Sequence, residues 1–357
     1  MEFSSPIPLN QGDSIIPLEC LYEYSLSSAE LTIQLITTEN KYIDIKQRDP
    51  NMVCTSGGTG TVADPIIVCD AEDLNAIRLD LDANYALGKD IDLQCFSRQD
   101  VNGWLPIGTN ISLFTGSLDG QNKTISNLYI NRPVTDLVGL FGNMSNGISI
   151  TNIQLLDINI IGGSNVGGLI GSVSSEGEFE ISNNYFSGTV SGISPVGGLI
   201  GSNFGGDINY NYSQGTVSAS GQAGGLIGYA SGNITNNYSI ATVTSLENNA
   251  GGFIGATADD AGSITIYNNY FAGVVDCNGT YVGGFIGYQA EPGLVTIENN
   301  YWDMNTSGQL TSAGGTGKTT AEMKTQSTFT GWDFSTIWAM ASSTNSGYPY
   351  LRSNPPN

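Results

Sequence analysis

Between residues 138 and 306 apolar residues alternate with small or polar ones, and glycine pairs interrupt the alternation at regular intervals. The run VGLFG (138–142) returns as VGGLIG (166–171), VGGLIG (196–201), AGGLIG (223–228), AGGFIG (250–255) and VGGFIG (282–287). Aligned on the apolar residue after the glycines, these place Leu140, Leu169, Leu199, Leu226, Phe253 and Phe285 at spacings of 29, 30, 27, 27 and 32 residues. A second run keeps the same phase: NNYFSGTV (183–190), YNYSQGTV (210–217), NNYSIATV (236–243), NNYFAGVV (268–275) and NNYWDMNT (299–306). Alternation with a period of two is the mark of a strand with one buried face, and helical spacing is absent. One such unit cannot bury its apolar face alone, but stacked units can, equivalent residues lying over one another along a continuous core. The pattern predicts an all-β chain: a parallel β-helix (β-solenoid) of about six 27–32-residue repeats, with a short capping helix and a small N-terminal β segment.

Glycine and asparagine then take the turns, glycine because it reaches backbone angles closed to other residues, asparagine because it tolerates left-handed geometry and bonds to nearby backbone. Asn183, Asn211, Asn236, Asn268 and Asn299, or their neighbours, are expected to stack as a ladder of amides. Tyr185, Tyr212, Tyr238, Tyr270 and Tyr301 are expected to stack likewise, as structural rungs rather than a ligand platform.

A solenoid needs caps at both ends. Residues 1–55 contain the alternating stretch LYEYSLSSAELTIQLITTENKYIDI and read as a small or partial β-domain. Residues 56–130 form the N-terminal cap and first rungs. Within them DAEDLNAIR (70–78) predicts a helix capped by Asp70, with Asp73 three residues on and Leu74 and Ile77 on one stripe. The strand-like YALGKDIDL (85–93) and FTGSLDGQNKTISNLYI (114–130) follow. The repeats occupy 131–306, and 307–357 form the C-terminal cap. There Thr319–Glu322 fits a capping box, and Trp332, Trp338 and Tyr348 are expected to seal the last rung, a sugar-stacking platform being the alternative.

Composition narrows the chemistry. The net charge of -22, from 11 basic and 33 acidic residues, opposes binding to nucleic acid or to anionic membranes. With no histidine, a Ser-His-Asp triad, a Cys-His pair and an H-E-x-x-H zinc site are all excluded. No run is apolar and long enough to span a membrane, and the first 20 residues lack a signal peptide's basic start and apolar core, so the numbering follows a removed signal or the chain is a fragment. Four of the five cysteines, Cys20, Cys54, Cys69 and Cys95, are disulfide candidates, paired as Cys20 with Cys54 and Cys69 with Cys95, leaving Cys277 free. Asp80, Asp82, Asp90 and Asp92 are calcium candidates, as oxygen-rich turns, and Asp259 and Asp260 form a second acidic pair. Solvated turns are the simpler reading of both, and calcium is the one cofactor entertained. GGTGKTT (314–320) misses a P-loop because Ser312 stands where the first glycine belongs. Eight glycosylation sequons begin at Asn110, Asn122, Asn143, Asn211, Asn233, Asn237, Asn278 and Asn305.

The G-G-[LF]-I-G clusters with interleaved N-N-Y and G-T-V resemble the GLUG-motif repeat proteins, as do GTVADPIIVCDAEDLNAIR, GWLPIG, FTGSLDGQNKTISNL, YWDMNTSG, STFTGWDFSTIW and GYPYL. The resemblance covers about 58–351. It implies a β-helix on the exterior of a bacterial or archaeal cell, often a passive part of adhesins or of larger surface enzymes, and no transferable catalytic residue.

Three functions compete. The first is a non-catalytic, adhesin-like module, secreted or on the cell surface, whose partner is a polysaccharide or cell-surface ligand. The second is a structural subunit of a stalk or filament, partnered with copies of itself. The third is a polysaccharide-degrading β-helix enzyme, which would need a cleft with clustered carboxylates or bases. Nucleic acid and membrane insertion are excluded as partners of this chain.

Overall fold

The computed structural model describes residues 54–356 apart from 98–99, 146, 175–176, 248, 259–263 and 291–294. The chain divides into two compact units, Met1–Cys54 and Thr55–Asn357. The expected N-terminal β segment lies outside the described residues.

The second unit is a parallel β-solenoid of about seven turns. Its long sheet carries Ser117–Ser126, Ser149–Ile161, Tyr185–Gly192 and Tyr212–Ala219 in register, each strand hydrogen-bonded to its equivalent in the next turn. A six-stranded short sheet stacks Phe141–Met144, Ile170–Val173, Ile200–Asn203, Ile227–Ala230, Ile254–Thr257 and Ile286–Tyr288. Each begins at the last apolar residue of the first motif. A third set of two-residue strands, from Val196–Gly197 to Val282–Gly283, lines the corner before it. Parallel rungs arise because every repeat turns the same way, so identical residues meet across the ladder and register is fixed by the buried face.

The six apolar positions read from the first motif, Leu140 to Phe285, are all fully buried, as are Val190, Val217 and Val243 on the long sheet. Each such side chain contributes roughly 1.5–3 kcal/mol on burial. The second glycine of the pair has a packing reason. A Cβ at Gly168, Gly252 or Gly284 would lie 2.2, 2.3 or 2.1 Å from the ring of Phe186, Phe271 or Trp302. Those rings follow the conserved-phase tyrosine of the same turn and fill the space the glycine leaves.

The solenoid begins before residue 131. Ile66–Val68, Asn84–Leu87 and Ser117–Ser126 already pair in parallel, and residues Ala71–Ala76 form the expected helix, α1. Asp70 accepts the Asp73 amide at 2.9 Å, the Asp73 carboxylate accepts the Cys69 amide at 3.0 Å, and Leu74 and Ile77 are buried in the core. At the other end Thr319 and Glu322 form the expected capping box, opening a helix over Thr320–Met323, α2.

Candidate binding face

The N-N-Y motif resolves into three roles within three residues. Its first position takes the left-handed conformation at the corner: φ is +57° at Asn183, +57° at Tyr210, +57° at Asn236, +55° at Asn268 and +56° at Asn299. The second position points inward. Asn184, Asn211, Asn237, Asn269 and Asn300 are buried, each of the first four donating its amide to the carboxamide oxygen of the next along the stack at 2.9–3.1 Å, and Asn300, the last, donating to Ile266 O and Glu298 O. The expected ladder is therefore displaced by one residue for Asn183, Asn236, Asn268 and Asn299, and holds as named only at Asn211. The displacement follows from geometry: a left-handed residue turns the chain, so only the residue after it enters the sheet. The third position points outward, where Tyr185, Tyr212, Tyr238 and Tyr270 stack at 4.1, 4.7 and 5.0 Å with nearly parallel rings.

That tyrosine column is covered. Rather than sealing the last rung, the C-terminal residues run back along the outside of the stack as a strap. Trp338 lies against Tyr238 and Tyr270, Trp332 against Tyr270 and Tyr301, and Tyr348 against Tyr270. Tyr270 donates its hydroxyl to Pro349 O at 2.6 Å, and the Trp338 indole donates to the Asn236 side chain at 3.2 Å. Burial pushes the Tyr212, Tyr238 and Tyr270 hydroxyls well above the usual tyrosine range. Buried Asp303 ties the strap to the last rung, accepting from Asn305 N, Thr306 N, Thr320 Oγ1 and, at 2.8 Å, Tyr348 Oη. With Trp332, Trp338 and Tyr348 buried, the sugar-stacking alternative is set aside.

Two columns further along the same strands stay open. Outside the core positions Ile130, Ile160, Val190, Val217 and Val243, the register stacks Tyr129, Asn159, Thr189, Thr216 and Thr242 in one line. Asn131, Ile161, Ser191, Ser218 and Thr244 form the next. Tyr129 and Asn159 border a groove of about 420 Å³ that Gln94, Asn127, Leu128 and Asp157 also line. The repeated T-V-S, T-V-S and T-V-T at 189–191, 216–218 and 242–244 marks this face in the sequence, where one valine flanked by two hydroxyl residues puts both hydroxyls on the outer side.

A second groove, of about 640 Å³, crosses four turns at the corner between the short and long sheets. Phe204, 37% exposed, stands there with its ring 5.7 Å from that of Tyr229, and Glu178, Glu180 and Asp207 line the rim. Glu180 and Asp207 face each other across adjacent rungs. Both are exposed, and each accepts a neutral local donor, Ser182 Oγ at 2.7 Å and Asn233 Nδ2 at 2.9 Å.

The other candidate residues lie in turns and, for Asp92, at the end of the strand Ile91–Asp92. Asp82 accepts Thr115 Oγ1, Asp90 accepts Thr124 N at 2.9 Å, and Asp92 accepts Gln94 N and Asn127 Nδ2. Asp80 contributes its carbonyl, to Tyr85 Oη at 2.6 Å. Among the described residues no three His, Cys, Asp or Glu side chains converge on a point that could hold a metal. Asp259 and Asp260 lie outside the described residues. Thr316–Lys318 is a strand paired with Tyr301–Asp303, not a phosphate loop. Cys54, Cys69 and Cys95 are each disulfide-bonded and Cys277 is a free thiol, while Cys20 and its pairing lie outside the described residues. The sequon residues Asn143, Asn211 and Asn237 are buried, and Asn110, Asn122, Asn233, Asn278 and Asn305 are exposed.

The fold and its faces define a parallel β-solenoid with one sealed and one open outer face. No family model matches the chain. It is similar to halomucin of Haloquadratum walsbyi, at 38% identity over 154 residues, and to a protein provisionally named a Gly-rich membrane protein of Evansella cellulosilytica, at 28% over 400 residues. These matches cover 41% and 84% of this chain but only 2% and 46% of the relatives. Among solved structures, a protein of Bacteroides ovatus provisionally named an immunoglobulin A1 protease superposes with a TM-score of 0.59 at 19% identity, over 83% of this chain and 95% of the other. That likeness is one of fold. No helix among the described residues is long and apolar enough to cross a membrane.

Proposed function

We propose that the chain is a secreted or cell-surface binding module of the GLUG-repeat type, adhesin-like, which holds an extended ligand such as a glycan and performs no chemistry on it. The observation that carries this reading is the open outer face of the long sheet, which repeats the same polar side chains turn after turn while the strap covers the neighbouring tyrosines. A surface whose groups recur at the rung spacing of about 4.8 Å suits a ligand that is itself long and repetitive. The disulfides at Cys54, Cys69 and Cys95 support an oxidising, exported setting. Similarity to halomucin supports an exterior location.

The test is to incubate the purified chain with a panel of insoluble polysaccharides and intact cells, scoring retention and released sugar together. Retention without release is expected. Release of new reducing ends would assign catalysis to the chain, and absence from every pellet would refute the binding role.

A further inference from the structure

We propose that the column Tyr129–Asn159–Thr189–Thr216–Thr242 is the seat of a neutral, linear polysaccharide lying along the solenoid axis. This rests on the reading of the chain as a module for an extended ligand, and it names the site and the ligand's chemistry.

Four observations converge on the column. Its side chains are outward by register, because the residues one step further along each strand belong to the core. Its hydroxyls are uncommitted: among the described residues Thr189, Thr216 and Thr242 make no side-chain hydrogen bond. In the adjoining column Ser191 donates to Ile160 O at 3.3 Å and Thr244 to Ser218 at 2.8 Å. Three free hydroxyls and an amide in line offer both donors and acceptors, the complement of a polymer of hydroxyls. The column also starts at an aromatic ring. Tyr129 stands half-buried in the groove with Gln94, Asn127 and Asp157, so a sugar there meets an apolar ring face and amide and carboxylate partners together.

Charge selects the ligand class. From Pro133 to Gly317 the chain carries no lysine, arginine or histidine. Nothing on the turns from Asn159 to Thr242 can neutralise an anionic glycan, and the chain's net charge of -22 repels one. The column itself is uncharged from Tyr129 to Thr242. A neutral polymer crosses it without a desolvated charge on either side. Five rungs at the parallel-strand spacing extend about 19 Å, room for a short run of sugar units along the axis.

The experiment uses the whole chain, with insoluble cellulose as the neutral β-linked probe and polygalacturonate gel as the anionic one. Three proteins are compared with the wild type: the triple variant Thr189→Val, Thr216→Val, Thr242→Val, the single variant Tyr129→Ala, and Phe204→Ala in the other groove. Valine keeps the shape and strand preference of threonine, so the triple variant is expected to melt with the wild type. Wild type and Phe204→Ala should bind cellulose alike. The triple variant and Tyr129→Ala should each lose roughly tenfold or more in affinity, as lost hydrogen bonds and a lost ring contact dictate. Cellulose binding unchanged in the triple variant but lost in Phe204→Ala would move the ligand to the other groove, overturning this site and leaving the binding role intact. Stronger retention on polygalacturonate would overturn the neutral class. Wild-type protein retained on neither matrix would overturn the site and leave the wider reading to the cell and polysaccharide panel.

Discussion

Replacing Asn237 by alanine removes the middle of the amide ladder. Its Nδ2 donates to Ile208 O at 2.9 Å, Thr235 O at 3.0 Å and Asn269 Oδ1 at 3.0 Å, and its Oδ1 accepts from Asn211 N at 2.8 Å and Asn211 Nδ2 at 3.1 Å. Not all of these partners are orphaned. Asn211 Nδ2 keeps Ile181 O and Asn209 O, and Asn269 Oδ1 keeps the Asn237 amide. The Asn211 backbone N–H is left buried with no acceptor, at about 1–3 kcal/mol, and the three donated bonds forfeit about 1 kcal/mol each. The sum, about 4–6 kcal/mol, corresponds to a fall of about 6–10 °C in melting temperature for a unit of this size. Thermal melting followed by circular dichroism and calorimetry reads it, with Asn233→Ala on the same turn as control. Asn233 is exposed and its side chain donates to Asp207, so its loss should shift melting by no more than about 2 °C. Asn237→Asp adds a sign. It keeps an acceptor for Asn211 N but aims a carboxylate at three acceptor oxygens, so its folded pKa rises above the ordinary value of about 3.9. Its stability is then present at low pH and lost as pH rises through the carboxylate range. Melting of Asn237→Ala within about 2 °C of wild type would refute the ladder as a source of cohesion.

Three further outcomes follow from the same geometry. Trp338→Ala empties a fully buried site against Tyr238, Tyr270 and Trp332, at about 3–5 kcal/mol, and should make the strap sensitive to limited proteolysis between about 330 and 350 while the turns stay resistant; uniform cleavage of the repeats would contradict this. Because burial raises Tyr185, Tyr212, Tyr238 and Tyr270, their stabilising contribution is complete below about pH 10 and falls by about 1.4 kcal/mol per unit per tyrosine above it; tyrosinate absorbance rising there without loss of fold would count against the covered column. Chelation with EDTA should leave the melting temperature unchanged, since no metal-holding cluster is found among the described residues, and a fall would reveal a bound cation.

The stacking was legible in the sequence because its signal is redundant: two motifs in one phase each report the period, and Val217, between Thr216 and Ser218, can only be inward in a strand whose neighbours are polar. Asp70 and Thr319 were legible for a similar reason, since a helix cap is decided by four consecutive residues. The strap was not, because Trp332 and Trp338 lack the repeat and sequence gives no direction to an aromatic segment. It shows that residues are apolar, not which face they cover. The one-residue displacement of the asparagine ladder escaped for a subtler cause. Both asparagines of N-N-Y suit a turn, and only the φ of +57° at Asn183 and Asn236 decides which of the two turns the chain and which enters it.

The sealed face explains where the strap stops. The column that becomes tyrosine at Tyr185 is Gln154 one turn earlier and Thr124 two turns earlier, in continuous register. Gln154 and Thr124 need no cover, because their polar groups are satisfied in water, whereas a row of stacked tyrosine rings exposes apolar area on every turn. The strap reaches Pro355, whose carbonyl accepts from Tyr212 Oη at 3.4 Å, and Tyr185 beyond it is shielded by its stack on Tyr212. Aromatic rungs and strap are thus matched in extent, each needing the other to stay dry. The threonine column meets no such demand. Its turns are held by amide ladders and apolar cores that carry no charge, so cohesion does not draw on Thr189, Thr216 or Thr242, and those side chains are left to the solvent side of the sheet and to whatever polymer lies along it.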